Sequence, residues 1–271
     1  MSKILGTLLI GLMLMVSSGI VCAGPYEDAR AAAERGDFAT ALRLWHPLAE
    51  QGNGNAQYNL GAMYGQGQGV QQDYNEAAKW FRLSAEQGTA LAQYNLGVMY
   101  GQGQGVPQDY KEAAKWFRLS AEQGIALAQY NLGAMYSQEQ GVPQDYNDAA
   151  KWFRLSAEQG DASAQNKLGY SYVQGQGVLQ DYNEAAKWFR LSAEKGNIEA
   201  QHNLGLMYVE GKGVNQDYAR AYMWFDGAAA RGDAGAAQDR LKAFHLMTPK
   251  QLARAQDMAK QCEVKNFKNC D

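Results

Sequence analysis

Residues 56–91 read AQYNLGAMYGQGQGVQQDYNEAAKWFRLSAEQGTAL, and residues 92–127 repeat them with four changes: Ala62/Val98, Gln71/Pro107, Asn75/Lys111 and Thr89/Ile125. The opening Ala-Gln-Tyr-Asn-Leu-Gly returns at Ala128, and variants of it begin at Ala164 and Ala200, each 36 residues on without an insertion. Self-similarity at a fixed period of this length marks a stack of supersecondary units. Each copy reads as helix, turn, helix. A first helix opens at Ala56 and runs to about Tyr64, and the Gly-rich segment 65–70 breaks it. A second helix starts at Asp73, whose side chain can accept from the free N–H groups there, with Glu76 completing a capping-box-like pair. That pair recurs as Asp109/Glu112, Asp145/Asp148 and Asp181/Glu184. Gly88, Gly124, Gly160, Gly196 and Gly232 end the second helices, where a left-handed cap favours Gly.

Apolar spacing shows how the helices pack. Ala56, Leu60, Gly61 and Tyr64 share one arc of the first helix, and Ala77, Trp80, Phe81, Ser84 and Ala85 share a face of the second. Glu76, Lys79, Arg82 and Glu86 lie opposite, with Glu76–Lys79 and Arg82–Glu86 spaced to pair along the exposed side. A Gly at position 61 costs about 1 kcal/mol in a helix against Ala. Its recurrence at 97, 133, 169 and 205 points to close helix approach, with Trp80 or Phe81 over the gap. One pair cannot bury its own apolar face, so the units must stack.

The ordered set Ala56, Leu60-Gly61, Tyr64, Gly69-Val70, Asp73, Ala77, Trp80-Phe81, Ala85 and Gly88 resembles the Sel-one-like repeat (SLR), a relative of the tetratricopeptide repeat. The resemblance covers about residues 37 to 235. It implies an all-α fold, a right-handed α-solenoid superhelix of stacked antiparallel helix pairs. The chain then divides into a signal peptide (1–23), a degenerate N-terminal capping repeat (24–55), five repeats (56–235) and C-terminal capping helices with a tail (236–271). The leading unit keeps Asp37, Ala41, Trp45, Ala49 and Gly52 behind an Ala-rich first helix, Tyr26 to Arg35. In the fifth copy Met223 replaces the Lys and Asp226-Gly227 replaces Arg-Leu. A final helix follows, with Thr248 as N-cap, Pro249 at its first position and Gln251 closing a box.

The N-terminus reads as a secretory signal: Lys3, an apolar run from Ile4 to Val16, then Val21-Cys22-Ala23 for cleavage after Ala23. The run is short of the about 20 residues a membrane span needs, and an uncleaved anchor stays the alternative. A lipoprotein at Cys22 would be another, but Val21 stands where such signals need something small. Export to the periplasm or outside a Gram-negative bacterium leaves Cys262 and Cys270, an even pair expected to form a disulfide in an oxidising compartment. The formal charge is −3, and removal of a segment whose only charge is Lys3 makes it −4. That balance argues against nucleic acid or anionic membrane as the main partner of the mature chain.

Reactive groups do not converge in the pattern. His46, His202 and His245 are isolated from one another, and no zinc, nucleotide or cofactor motif is present. Ser192-Ala-Glu-Lys195 satisfies the S-x-x-K pattern of penicillin-interacting enzymes, but the same register reads Gln at 87, 123 and 159. Some cysteine-rich relatives in the SLR family are linked to β-lactam binding, yet they carry a disulfide in each repeat and this chain does not. A partner-binding stripe remains: Tyr58/Asn59/Ala62, Tyr94/Asn95/Val98, Tyr130/Asn131/Ala134, Asn166/Lys167/Tyr170 and His202/Asn203/Leu206. The resemblance puts these residues on the concave face of the solenoid. Tyr is a favoured interface residue, though packing against neighbouring repeats is the competing role for these rings. The expected function is a scaffold that binds a protein or peptide. Family members serve in envelope assembly, signalling regulation and host interaction. Peptidoglycan or glycan binding is the alternative, and a β-lactamase-like enzyme a remoter one. Unlike positions cluster in the fourth and fifth copies, where partner specificity would reside.

Overall fold

The turn at Gly105 shows what fixes the 36-residue period. Its φ is +68°, and a Cβ built there would lie 1.9 Å from the Tyr74 carbonyl oxygen in the preceding repeat. Only Gly fits both the left-handed backbone and this approach. Gly141, Gly177 and Gly213 meet Tyr110, Tyr146 and Tyr182 in the same way, so one residue per repeat sets the stacking distance.

A computed structural model describes residues 24–270, and the proposed signal peptide therefore lies outside the described residues. The described chain is fourteen helices without a strand. A leading pair, α1 (Pro25–Glu34) and α2 (Phe38–Glu50), precedes five repeat pairs: α3/α4 (Gly54–Gln66, Tyr74–Glu86), α5/α6 (Ala90–Gln102, Tyr110–Glu122), α7/α8 (Ala126–Gln138, Tyr146–Glu158), α9/α10 (Ala162–Gln174, Tyr182–Ala193) and α11/α12 (Ile198–Glu210, Tyr218–Ala229). Then come α13 (Ala234–His245) and α14 (Pro249–Val264). From α1 to α13 each helix packs on its neighbours in sequence, whereas α14 folds back on α12. This is an α-solenoid. No helix among the described residues is long and apolar enough to cross a membrane.

Several expectations need correction in detail. The first helices open at Gly54, not Ala56, and run to Gln66 rather than Tyr64; α1 starts at Pro25 and ends at Glu34. Asp73 caps α4 as expected and accepts from the Asn75 and Glu76 N–H groups. The box is only half built. The Asp73 N–H already donates to the Tyr64 carbonyl, so the Glu76 carboxylate turns to Lys79 at 3.4 Å. Arg82 does not pair with Glu86. Its Nη2 donates to the Tyr100 hydroxyl of the next repeat at 2.7 Å, and the bond recurs as Arg118–Tyr136, Arg154–Tyr172 and Arg190–Tyr208. A charge-assisted bond between repeats outweighs a solvated pair within one helix.

The apolar core follows the predicted faces. Phe81 is the ring over Gly61: a Cβ there would meet it at 2.7 Å. Trp80 instead packs backward, with Trp45 and Leu60, while Phe81 packs forward with Leu96 and Trp116. The second helices end in Gly88 and its counterparts at φ between +84° and +97°, as expected. Thr248 and Gln251 form a complete capping box at α14, and Cys262 and Cys270 form a disulfide.

The fifth copy departs from the pattern for a structural reason. A Cβ on Gly227 would lie 2.4 Å from the Phe267 ring, which the disulfide-closed loop 262–270 lays onto α12. Asp226 pairs with Arg240 of α13, and Met223 is buried. These substitutions seat the C-terminal cap, as the need of a solenoid to close its exposed core implies.

Candidate functional site

The predicted stripe lies on the first helices, and neighbouring first helices enclose clefts. Between α3 and α5 a cleft of about 290 Å³ is walled by Tyr58, Ala62, Asn95 and Val98 and floored by Phe81 of α4. Between α5 and α7 a smaller one, about 180 Å³, takes Val98, Asn131 and Ala134. The clefts at the other end are larger, about 360 Å³ each at Tyr130/Asn166/Lys167 and at Tyr170/Asn203/Leu206. A further cleft of about 270 Å³ brings Asn166, Lys167, Tyr170, His202 and Asn203 together. Every predicted stripe residue except Asn59 and Tyr94 lines at least one of these spaces.

Much of the stripe's polar chemistry is already used inside the solenoid. Position 58 of one repeat meets position 59 of the next, 37 residues on. The Tyr94 hydroxyl meets Asn131, the Asn203 amide donates to Asn166 Oδ1 at 3.3 Å, and His202 Nε2 lies 2.9 Å from Asp239. At the N-terminal end Asn59 donates to the Tyr26 hydroxyl at 3.2 Å. Asn166 is buried and also donates to Glu199 Oε2 at 2.9 Å, and His202 Nδ1 lies 3.3 Å from Asp233. Among the described residues the Tyr58–Asn95 and Tyr130–Lys167 steps carry no such bond.

The rings have packing roles too. Tyr58, Tyr94 and Tyr130 are half-buried, and each leans on the Phe of its own repeat, with centroids 5.8–5.9 Å apart. His202 takes the same seat against Phe225 at 5.6 Å. Burial pushes the Tyr94 hydroxyl's pKa up against the opposing effect of Asn131, and burial then Asp161 and Glu199 push up that of Tyr130. Both stay neutral hydrogen-bonding groups at neutral pH. The residues most open to a ligand are therefore Val98, Tyr170 and Leu206, together with Lys167.

Two sets of polar side chains make bonds between helices that the repeat pattern alone does not display. Gln57 donates to the Ala49 carbonyl at 3.0 Å and accepts from Gln87 at 2.7 Å, so one buried amide ties three helices together. Its identity in all five copies, at 93, 129, 165 and 201, was the available signal. Ser84 is the second: its Oγ donates to the Gly54 carbonyl at 2.7 Å. Ser192 does the same to Ala162 at 2.6 Å and is fully buried, while Lys195 Nζ donates to the Gly160 carbonyl. The S-x-x-K pair is not assembled: serine and lysine each serve a backbone carbonyl.

A model of the Sel1 repeat matches residues 54–89, 90–125, 126–161, 162–197 and 198–233. The chain belongs to the Sel1 repeat family. These units start two residues ahead of those counted from Ala56, at the first turn of each first helix. Among solved structures, a protective antigen present in uropathogenic Escherichia coli strains and displaying an SLR fold is 36% identical, with a TM-score of 0.75 over 89% of this chain. The chain spans only 56% of that protein's length. A Sel1 repeat protein from Oxalobacter formigenes is 31% identical, with a TM-score of 0.74, covering 86% of this chain and 97% of its own. No curated protein sequence matches the chain. Sel1 repeats generally serve as scaffolds for protein–protein interaction.

Proposed function

We propose that this Sel1 repeat protein is an exported scaffold that holds an extended segment of a protein or peptide partner along its first-helix face. The observation that carries this reading is the row of register-equivalent clefts. Phe81 and Met99, Phe117 and Met135, and Phe189 and Met207 recur in three of them, each beside the Tyr that opens a second helix. A row of like pockets on one face suits a chain that lays down side chains at intervals. Export is supported by the N-terminal run and by the disulfide, which belongs to an oxidising compartment.

The test is photo-crosslinking in the native cell, with a benzophenone amino acid at Val98 or Leu206 in the clefts and at Lys79 or Lys187 on the second helices. Crosslinks to one polypeptide from the cleft positions, absent from Lys79 and Lys187, are the expected result. Equal yields from both faces, or adducts to peptidoglycan rather than protein, would overturn it. Val98 and Leu206 serve better than Tyr94, because removal of Tyr94 also breaks its contact with Asn131.

A further inference from the structure

Three of the clefts are one site copied along the chain, so the molecule contains its own controls. The copy between α9 and α11 differs from the others in chemistry. Ala62 of the first cleft becomes Tyr170, 49% exposed, and Gly65 becomes Val173. In register, Gln102 becomes Glu210 and Gln104 becomes Lys212. The floor and one wall, Phe189, Met207 and Tyr182, stay the same. A shared apolar pocket has gained a second aromatic wall and a carboxylate.

A cation already occupies its rim. Lys212 Nζ lies 5.5 Å from the centroid of the Tyr182 ring and 2.8 Å from Glu210 Oε2. Aromatic faces carry negative potential and attract ammonium or guanidinium groups. The Lys212 and Glu210 side chains are each half exposed, and an ion pair at that exposure contributes little. An incoming cation with more ring contact would therefore displace Lys212 at small cost. Val173 and Leu206 supply the apolar surface along which a long cationic side chain lays its stem.

We propose that the cleft between the fourth and fifth repeats binds the arginine or lysine side chain of an extended peptide, which takes the place of Lys212 over Tyr182, with Tyr170 as second wall and Glu210 as counter-ion. The proposal rests on the scaffold reading above and names the residue class its partner presents at this step. A guanidinium is preferred to an ammonium, since it stacks flat on a ring and meets a carboxylate with two donors.

The probes are the blocked tripeptide Gly-Arg-Gly and its citrulline counterpart, which keeps the shape and loses the charge. They are titrated into the whole protein with methyl NMR at Leu206, Val173 and Val98 as reporters. The arginine probe should move Leu206 and Val173 and leave Val98 in place, and citrulline should bind about tenfold more weakly. Three variants borrow residues from other copies of the same cleft, so each is already compatible with the fold. Glu210→Gln should weaken the arginine probe about tenfold and Tyr170→Ala about fivefold, whereas Lys212→Gln should tighten it about threefold by removing the internal competitor. Equal binding of the two probes, indifference to Glu210→Gln, or equal shifts at Val98 would each overturn the proposal. If cleft crosslinks to a protein persist while these titrations fail, the cation site falls and the scaffold reading stands.

Discussion

The second helices α4 and α12 occupy the same register in the first and fifth repeats, yet they meet different surroundings. On α4, Leu83 is partly exposed to solvent, Arg82 reaches forward to Tyr100, and Gln87 clasps the buried Gln57. On α12 the same three places hold Gly227, Asp226 and Arg231. Gly227 leaves room for Phe267, Asp226 turns to Arg240, and Arg231 donates to Gln201 Oε1 at 2.6 Å while its guanidinium lies 4.5 Å from the Phe267 ring. Departure from a repeat pattern thus has two sources in one chain. Some changes end the stack, and others, such as Tyr170 and Glu210, alter a cleft that the stack repeats.

The largest effect is expected when α12 is made to resemble α4. Gly227→Leu restores the residue found at 83, 119, 155 and 191 and drives it into the Phe267 ring. The expected loss is about 3 kcal/mol, since overpacking and expulsion of the cap act together. Leu191→Gly, the reverse exchange on α10, should cost only about 1 kcal/mol of helix propensity. Urea unfolding followed by tryptophan fluorescence measures both. A loss for Gly227→Leu no greater than that for Leu191→Gly would mean that Phe267 does not hold the cap.

The disulfide tests the same contrast without touching the helix. Opening the Cys262–Cys270 loop should cost the cap about 2.5 kcal/mol by the loop-entropy relation. In a solenoid each unit leans on its neighbours only. Reduction should therefore speed hydrogen exchange in α14 and α12 and leave α5 to α8 unchanged. Uniformly faster exchange along the chain would contradict this local account.

The fourth copy offers a smaller and opposite effect. Gln123 donates both to the Gly88 carbonyl and to Gln93 Oε1. Lys195 stands in that place in the fourth repeat and reaches only Gly160, which leaves the buried Gln165 Oε1 without a partner. Lys195→Gln should restore the missing bond and raise stability by about 1 kcal/mol. An unchanged or lower urea midpoint would show that Gln165 is satisfied in another way.

What was legible in the sequence follows from the same physics. Turn glycines, N-caps, the Trp/Phe face and the cysteine pair depend on local backbone or on period, and both are visible in a string of residues. The bonds of Arg82 to Tyr100 and Gln87 to Gln57 join residues 18 and 30 apart, and they exist only once the pairs have stacked. Arg82 looked like a surface residue because its own helix offers Glu86 nearer. Asp226 and Gly227 stand out as departures at the end of the array, but nothing in the repeat register shows that Phe267 returns to cover them. The stripe residues lie on the first helices, but Tyr94, Asn131, Asn166 and His202 spend their polar groups on neighbouring repeats.

The smallest effect isolates the turn from everything else. Helices α3, α5, α9 and α11 all end in Gly at φ between +66° and +69°, whereas α7 ends in Glu139 at φ +57°. A left-handed residue with a side chain costs about 1–2 kcal/mol, while a Gly in its place gives back about 0.5–1 kcal/mol through the freedom it brings to the unfolded chain. Glu139 is exposed and makes no ion pair among the described residues, so its removal costs no contact. Glu139→Gly should therefore stabilise the protein by about 0.5–1 kcal/mol, the difference between the two. Because Gly141 two residues on still sets the approach to Tyr110, the gain should appear in stability alone, with the methyl spectrum of the clefts unmoved. A shift at Val98 or Ala134 would mean instead that this cap helps to set the spacing of the repeats.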